Sequence, residues 1–169
     1  NPDAPNPLIV DGYLPRFWVA GNWEVIEDRA AIPARLADPA FDVASTVLLE
    51  EDPGLARNPA GGEPGTVWSY AYDGNRIRID VEADRDCLLV HSENWFPYWR
   101  VFEGDRELPI LRANGAIRAI PLSPGRHELE FRYRSPPYVL GRAITGFTLL
   151  VVIGTAVLLR VRSRGRAPA

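Results

Sequence analysis

The chain has 169 residues, 46% of them apolar, and its 19 basic residues (all arginine) meet 22 acidic ones for a formal net charge of −3. That is room for one domain with an appendage, and the balanced charge excludes a basic nucleic-acid-binding chain. One cysteine, Cys87, and two histidines, His91 and His127, exclude an internal disulfide framework, a multi-cysteine metal site and a His-rich metal centre.

No methionine is present and the sequence opens at Asn1. We therefore expect a processed chain or part of a longer gene product, once preceded by a signal or by membrane segments. Residues 17–20 and 23–26 are short apolar runs, read as strands separated by a Gly21-Asn22 turn. Residues 29–36 are the one soluble-helix candidate, with Asp28 as N-cap and Pro33 limiting its length. Residues 44–49 read as a strand. Residues 53–65, with three Pro and four Gly, read as a loop.

The clearest half-buried strand follows. Residues 67–72 and 76–83 flank Asp73-Gly74-Asn75, and Ile77, Ile79 and Val81 alternate with Arg78, Asp80 and Glu82. Residues 87–90 are an unbroken apolar run. Residues 99–102 meet 107–110 across Glu103-Gly104-Asp105-Arg106, and 116–120 form a further strand. After a Pro124-Gly125 turn, residues 127–133 alternate again, with Leu129, Phe131 and Tyr133 against Glu128, Glu130 and Arg132. Strands recurring at this spacing predict a mainly β, β-sandwich-like domain over residues 1–138.

Residues 139–159, VLGRAITGFTLLVVIGTAVLL, hold one charge, Arg142. A stretch of this length crosses a hydrocarbon core of ~30 Å, so a C-terminal transmembrane helix is predicted. Residues 160–169 form a basic tail. Arg160, Arg162, Arg164 and Arg166 meet no acid there, whereas up to Tyr138 the chain holds 14 arginines and 22 acids, a charge of −8. The positive-inside rule then puts the C-terminus in the cytoplasm and the β-domain outside a bacterial inner membrane. Tyr133 and Tyr138 are expected at the outer interface as aromatic anchors, and Arg142 can snorkel to it. Pro136-Pro137 is expected to be a stiff spacer. Ala143, Gly146 and Gly154 give the helix small faces for close packing.

Few residues suggest chemistry. His91, Ser92 and Glu93 invite a triad reading, but neighbours on a strand point to opposite faces, and a strand-end histidine is the plainer reading. His91, Glu93 and His127 are three donors of metal-ligating type without diagnostic spacing. Asp84 and Asp86 lack the spacing of a calcium loop. No glycine-rich phosphate loop is present. Neither catalysis nor a cofactor is expected. The run Trp95-Phe96-Pro97-Tyr98-Trp99 is different, because alternation must expose some of it. Part is read as core, and Trp95, Phe96, Tyr98 and Trp99 as a partner-interface surface, with sugar stacking the remaining reading.

Residues 14–28 and 78–154 resemble the C-terminal end of the bacterial YfhO family. The likeness lies in Leu88 to Ser92, Trp99-Arg100-Val101, Glu103-Gly104, Pro124-Gly125-Arg126-His127 and Gly141 at the helix start. Tyr98 stands where that pattern has glycine, and residues 50–66 match poorly. The resemblance implies kinship with large multi-span membrane proteins related to lipid-linked-sugar glycosyltransferases. In those relatives the catalytic acid lies in an early extracytoplasmic loop, a portion this chain lacks. The expected function is a non-catalytic accessory subunit bracing other integral-membrane subunits in the bilayer, for which a respiratory complex or a photosynthetic reaction-centre and antenna complex are candidate hosts. The alternative is a glycan- or acceptor-binding module of a split glycosyltransferase.

Overall fold

The computed structural model describes residues 14–57 and 62–164. The strands among them are β1 (Phe17–Ala20), β2 (Asn22–Val25), β3 (Thr46–Leu49), β4 (Gly65–Asp73), β5 (Arg76–Ala83), β6 (Cys87–Asn94), β7 (Trp99–Glu103), β8 (Arg106–Leu108), β9 (Leu111–Ala113), β10 (Ile117–Leu122) and β11 (Gly125–Tyr133). They form two sheets, in the orders β1-β6-β10-β9-β3-β2 and β4-β5-β11-β7-β8.

The sandwich core lies between them. Ile77, Ile79, Val81, Leu129 and Phe131 of one sheet meet Phe17, Cys87, Leu89, Ile120 and Leu122 of the other. On β5 and β11 the alternation is visible because one face is buried and the other carries charge. On β6 it is not, since Cys87 and Leu89 enter the sandwich core while Leu88 and Val90 enter a second core. That second core, with Trp18, Trp23, Val47, Leu49, Leu111 and Ala119, belongs entirely to the first sheet.

The second core exists because the first sheet closes on itself. Its edge strands, β1 and β2, are joined by Gly21 alone. The expected Gly21-Asn22 hairpin is therefore corrected. Residues 17–25 are one bent segment whose first half pairs antiparallel with β6 and whose second half pairs parallel with β3. A Cβ on Gly21 would stand 3.1 Å from Arg85 Nη2 and 3.2 Å from Pro64 Cβ. Parallel pairing needs a crossover. The chain supplies it with a 3-10 turn, Arg29–Ala31, and helix α1 (Ile32–Leu36). Asp28 caps the turn, its carboxylate accepting from the Ala30 N–H at 3.0 Å. Two further differences are local. β9 is an additional strand, and the strand expected at 107–110 is β8, turned through the two-residue Gly104-Asp105 connection.

The chain divides into two compact units, Asn1–Tyr133 and Arg134–Ala169. The second is helix α2 (Pro136–Arg164). Pro136 and Pro137 are not a spacer but its first turn, where the missing N–H groups cost no helical bond. The Ser135 Oγ accepts from the Tyr138 N–H at 3.4 Å and its carbonyl from Val139 at 3.2 Å. An 18-residue window within residues 136–161 has a mean hydropathy of 2.1, and none of those 26 residues is buried. At 1.5 Å per residue their length, ~39 Å, exceeds a ~30 Å hydrocarbon core. Thr145, Thr148 and Thr155 turn their hydroxyls onto carbonyls four residues back. That satisfies them without an outside partner.

Candidate functional site

The aromatic run at 95–99 connects β6 of the closed sheet to β7 of the other. It folds back tightly: the Trp95 N–H donates to the Ala116 carbonyl at 2.6 Å and the Trp99 N–H to the Phe96 carbonyl at 3.3 Å. No aromatic ring of the run is fully buried. Trp95 is half-buried under the Arg112 guanidinium, 4.2 Å from its ring centre, and its Nε1 donates to the Ile110 carbonyl at 3.4 Å. Phe96 is 47% exposed and meets Tyr98 edge-on at 5.4 Å. Trp99 is half-buried against the sandwich core and lies 5.3 Å from Tyr133. The structure thus gathers Phe96, Tyr98, Trp99 and Tyr133 at one end of the sandwich. Tyr133 closes β11, whereas Tyr138 stands exposed in the first turn of α2, with the Arg142 guanidinium 5.9 Å from its ring centre.

Behind the aromatics lies a polar cluster. Arg118 of β10 is buried with its guanidinium 4.6 Å from the Trp99 ring centre. Its Nε donates to the Asn94 carbonyl at 2.9 Å, and its Nη2 lies 3.5 Å from Glu93 Oε2. Glu93 Oε1 also accepts from Arg16 at 2.7 Å and from the Tyr72 hydroxyl at 3.1 Å. The Tyr72 oxygen is 3.1 Å from His91 Nε2. With Tyr72 donating to Glu93, the His91 ring carries its proton on Nε2 and donates to Tyr72. His91 is fully buried, stacked 4.1 Å from Phe17.

Electrostatics fix the protonation states. Burial first, then Arg118 and Arg16, push His91 down to about 3. It is neutral at physiological pH, so its 3.7 Å approach to Glu93 is no ion pair. Burial raises the Tyr72 hydroxyl and lowers Arg118, Glu93 opposing the latter. Nothing in this cluster is set up as a nucleophile. Ser92 turns to the opposite face from His91, and its N–H donates to the Arg16 carbonyl at 2.9 Å. The Cys87 thiol, buried, is pushed up to about 12. The cluster instead ties β4 to β6 and β10 of the closed sheet.

The two histidines do not meet at one site. His127 on β11 uses both ring nitrogens, 2.7 Å from Glu103 Oε1 and 2.8 Å from the Ser123 carbonyl. Among the described residues no three His, Cys, Asp or Glu side chains converge for a metal. Asp84 and Asp86 sit in a turn, bonded to Pro64 and Ala56 through one hydrogen bond each. An open groove of about 750 Å³ runs beside β1, lined by Phe17, Trp18, Val19, Pro64, Tyr70 and Arg85. Along α2, Ala143, Gly146 and Gly154 are exposed, with open space beside both glycines. Arg160, Arg162 and Arg164 fall in its last turns, and Arg166 lies outside the described residues.

Sequence reasoning missed Arg16, Tyr72 and Arg118, and missed that Trp68 and Tyr70 stand exposed on β4. Two signals were available. Arg118 is the one charge in an apolar strand, and W-S-Y-A-Y has an aromatic at every second position. Compared with models of known protein families, with curated proteins and with solved structures, the chain matches none.

Proposed function

We propose that the chain is a non-catalytic, single-span subunit, anchored by α2, that braces a larger membrane-protein assembly through the aromatic end of its β-domain. The observation that carries this reading is the helix. Its 26-residue span is apolar and wholly unburied within its own chain. Such a helix needs lipid or other helices around it. The half-exposed aromatic run supports a partner surface, because large aromatics concentrate at interfaces. The neutral, buried His91 and the high-pKa Cys87 support a non-catalytic role. The arginine-rich C-terminus favours a cytoplasmic tail and a β-domain outside the inner membrane. Respiratory and photosynthetic complexes are hosts of the right kind, and kinship with the C-terminal end of the YfhO family is the lineage we propose.

Gentle detergent extraction of native membranes, followed by size separation and mass spectrometry, tests this. Co-migration with a large complex at fixed stoichiometry is expected. Migration alone overturns it. A second reading, a glycan-binding module of a split glycosyltransferase, is favoured by one observation: Trp68 is 60% and Tyr70 49% exposed on the edge strand β4. Co-migration with one multi-span glycosyltransferase, and glycan binding lost in Trp68→Ala, would support that reading instead.

A further inference from the structure

Uncovered sheet edges attract other strands, and three of the four edges of the β-domain are blunted. β1 and β2 have four residues each and meet at Gly21, and β8 has three residues, two of them charged. β4 is different. It is nine residues long, carries no charge before its last residue, Asp73, and among the described residues pairs with β5 alone. A bulge at Trp68 interrupts its first part, after which Ser69 to Asp73 pair regularly with β5. All five of these residues are exposed, although Tyr70 and Tyr72 share the inner face of the sheet with Ile79 and Ile77. The sandwich thus leaves this strand uncovered on both faces as well as along its edge.

The turn fixes where the free backbone groups point. Asp73 and Arg76 face each other across the two-residue Gly74-Asn75 connection, which makes them a hydrogen-bonded pair. Such pairs alternate with non-bonded ones along an antiparallel ladder. Asp73, Ala71 and Ser69 therefore bond to β5, and the N–H and C=O groups of Tyr70 and Tyr72 point to the open edge. The two rings are already held. The Tyr70 ring centre lies 4.9 Å from that of Phe17, and the Tyr72 hydroxyl donates to Glu93 at 3.1 Å.

A strand without charge over this length pairs with its own copy at no electrostatic cost. A two-fold axis at Ala71 sets Tyr70 opposite the partner's Tyr72, and Tyr72 opposite the partner's Tyr70, as hydrogen-bonded pairs. Facing aromatics stabilise neighbouring strands. Ala71 then meets its twin, Ser69 meets Asp73, and Trp68 falls opposite Gly74, which has no side chain to displace it. No charge faces a like charge. Arg78, beside Ala71 on β5, stays three strand spacings from its twin, about 14 Å, beyond the ~10 Å over which charges are felt in dilute salt.

We propose that β4 is an isologous dimer interface, which joins the five-stranded sheets of two copies of this chain, antiparallel, into one sheet of ten strands.

The full chain in mild detergent tests this. Ala71→Cys puts two thiols on a non-hydrogen-bonded pair whose Cα atoms are about 4.5 Å apart, within disulfide reach. Cys87 is buried and does not compete. Mild oxidation should link this variant severalfold more than Ser92→Cys, an exposed site on β6. Ser69→Cys mixed with Asp73→Cys should link, and neither should link alone. Ala71→Asp and Ala71→Lys each set like charges face to face and should sediment as monomers. Their one-to-one mixture should dimerise, which a misfolded variant would not. In the unaltered chain, amide exchange at Tyr70 and Tyr72 should slow as concentration rises. An unaltered chain that stays monomeric overturns the dimer and leaves the bracing role intact. Equal linking at 71 and 92, or a dimer that persists in both charge variants, also overturns it, by placing the association elsewhere. Protection of Tyr70 and Tyr72 that requires an added glycan or a different protein overturns it in favour of that ligand.

Discussion

His91 stacks on Phe17 with ring centres 4.1 Å apart, and protonating it would place a third cation beside Arg118 and Arg16. Folding lowers its pKa from the ordinary 6.5 to about 3. Between those values the unfolded chain binds more protons than the folded one. The contribution of neutral His91 is therefore full above pH 6.5 and is lost as pH falls toward 3. The slope approaches about 1.4 kcal/mol per pH unit. Thermal melts in mild detergent across the acid range should show a flatter pH profile for His91→Gln, and parallel profiles would refute the assignment. Glu93→Gln removes the carboxylate beside buried Arg118, at a cost of about 1–3 kcal/mol. Adding Arg118→Leu should recover part of that loss, since the uncompensated charge leaves with it; a further loss in the double variant would show that Arg118 acts through packing alone. His91 and Glu93 were legible as one strand face because their spacing is two. Their partners were not, since Tyr72 is 19 residues from His91 and Arg16 is 77 residues from Glu93. Local periodicity carries no information at that range.

Strands with one wet face were legible because burial writes a period of two into the sequence, as on β5 and β11. β6 showed only as an apolar run, since it borders two cores. β9 has three residues, too few for any pattern. The closure at Gly21 was hidden by turn chemistry: Gly-Asn reads as a hairpin, and nothing local says that the two halves of residues 17–25 have different neighbours. Gly65 offers a sharper test of element packing. A Cβ there would stand 2.2 Å from the Glu82 carbonyl oxygen, inside the β4–β5 pairing. Backbone cannot step aside as a side chain can. Gly65→Ala should therefore destabilise the β-domain by about 1–3 kcal/mol. Gly141→Ala, in open space on α2, should leave its melting unchanged. Similar melts for the two variants would mean that β4 yields more easily than its register implies.

At the scale of the whole molecule, the sequence separates its charges more sharply than its structure requires. Every acid precedes residue 131, while the C-terminus from 160 onward holds four arginines and no acid. The apolar span was legible because a bilayer demands unbroken length, and the structure adds that none of it is covered by its own chain. Val152→Arg, near mid-span, should weaken insertion by about 2.5–3.5 kcal/mol, seen as chain released by carbonate washing. The proposed orientation can be read with a single thiol. Cys87 is buried and its pKa is pushed up to about 12, so the folded chain should resist maleimides. Ser92 is exposed and donates only its backbone N–H, to Arg16. A Ser92→Cys variant thus gives one reactive reporter on the β-domain. A membrane-impermeant maleimide should label it in intact cells stripped of their outer envelope. Changing Arg160, Arg162, Arg164 and Arg166 to Glu should reduce that labelling and shift it to permeabilised cells. Labelling only after permeabilisation of the unaltered tail would place the β-domain inside, and the arginines would then have another role.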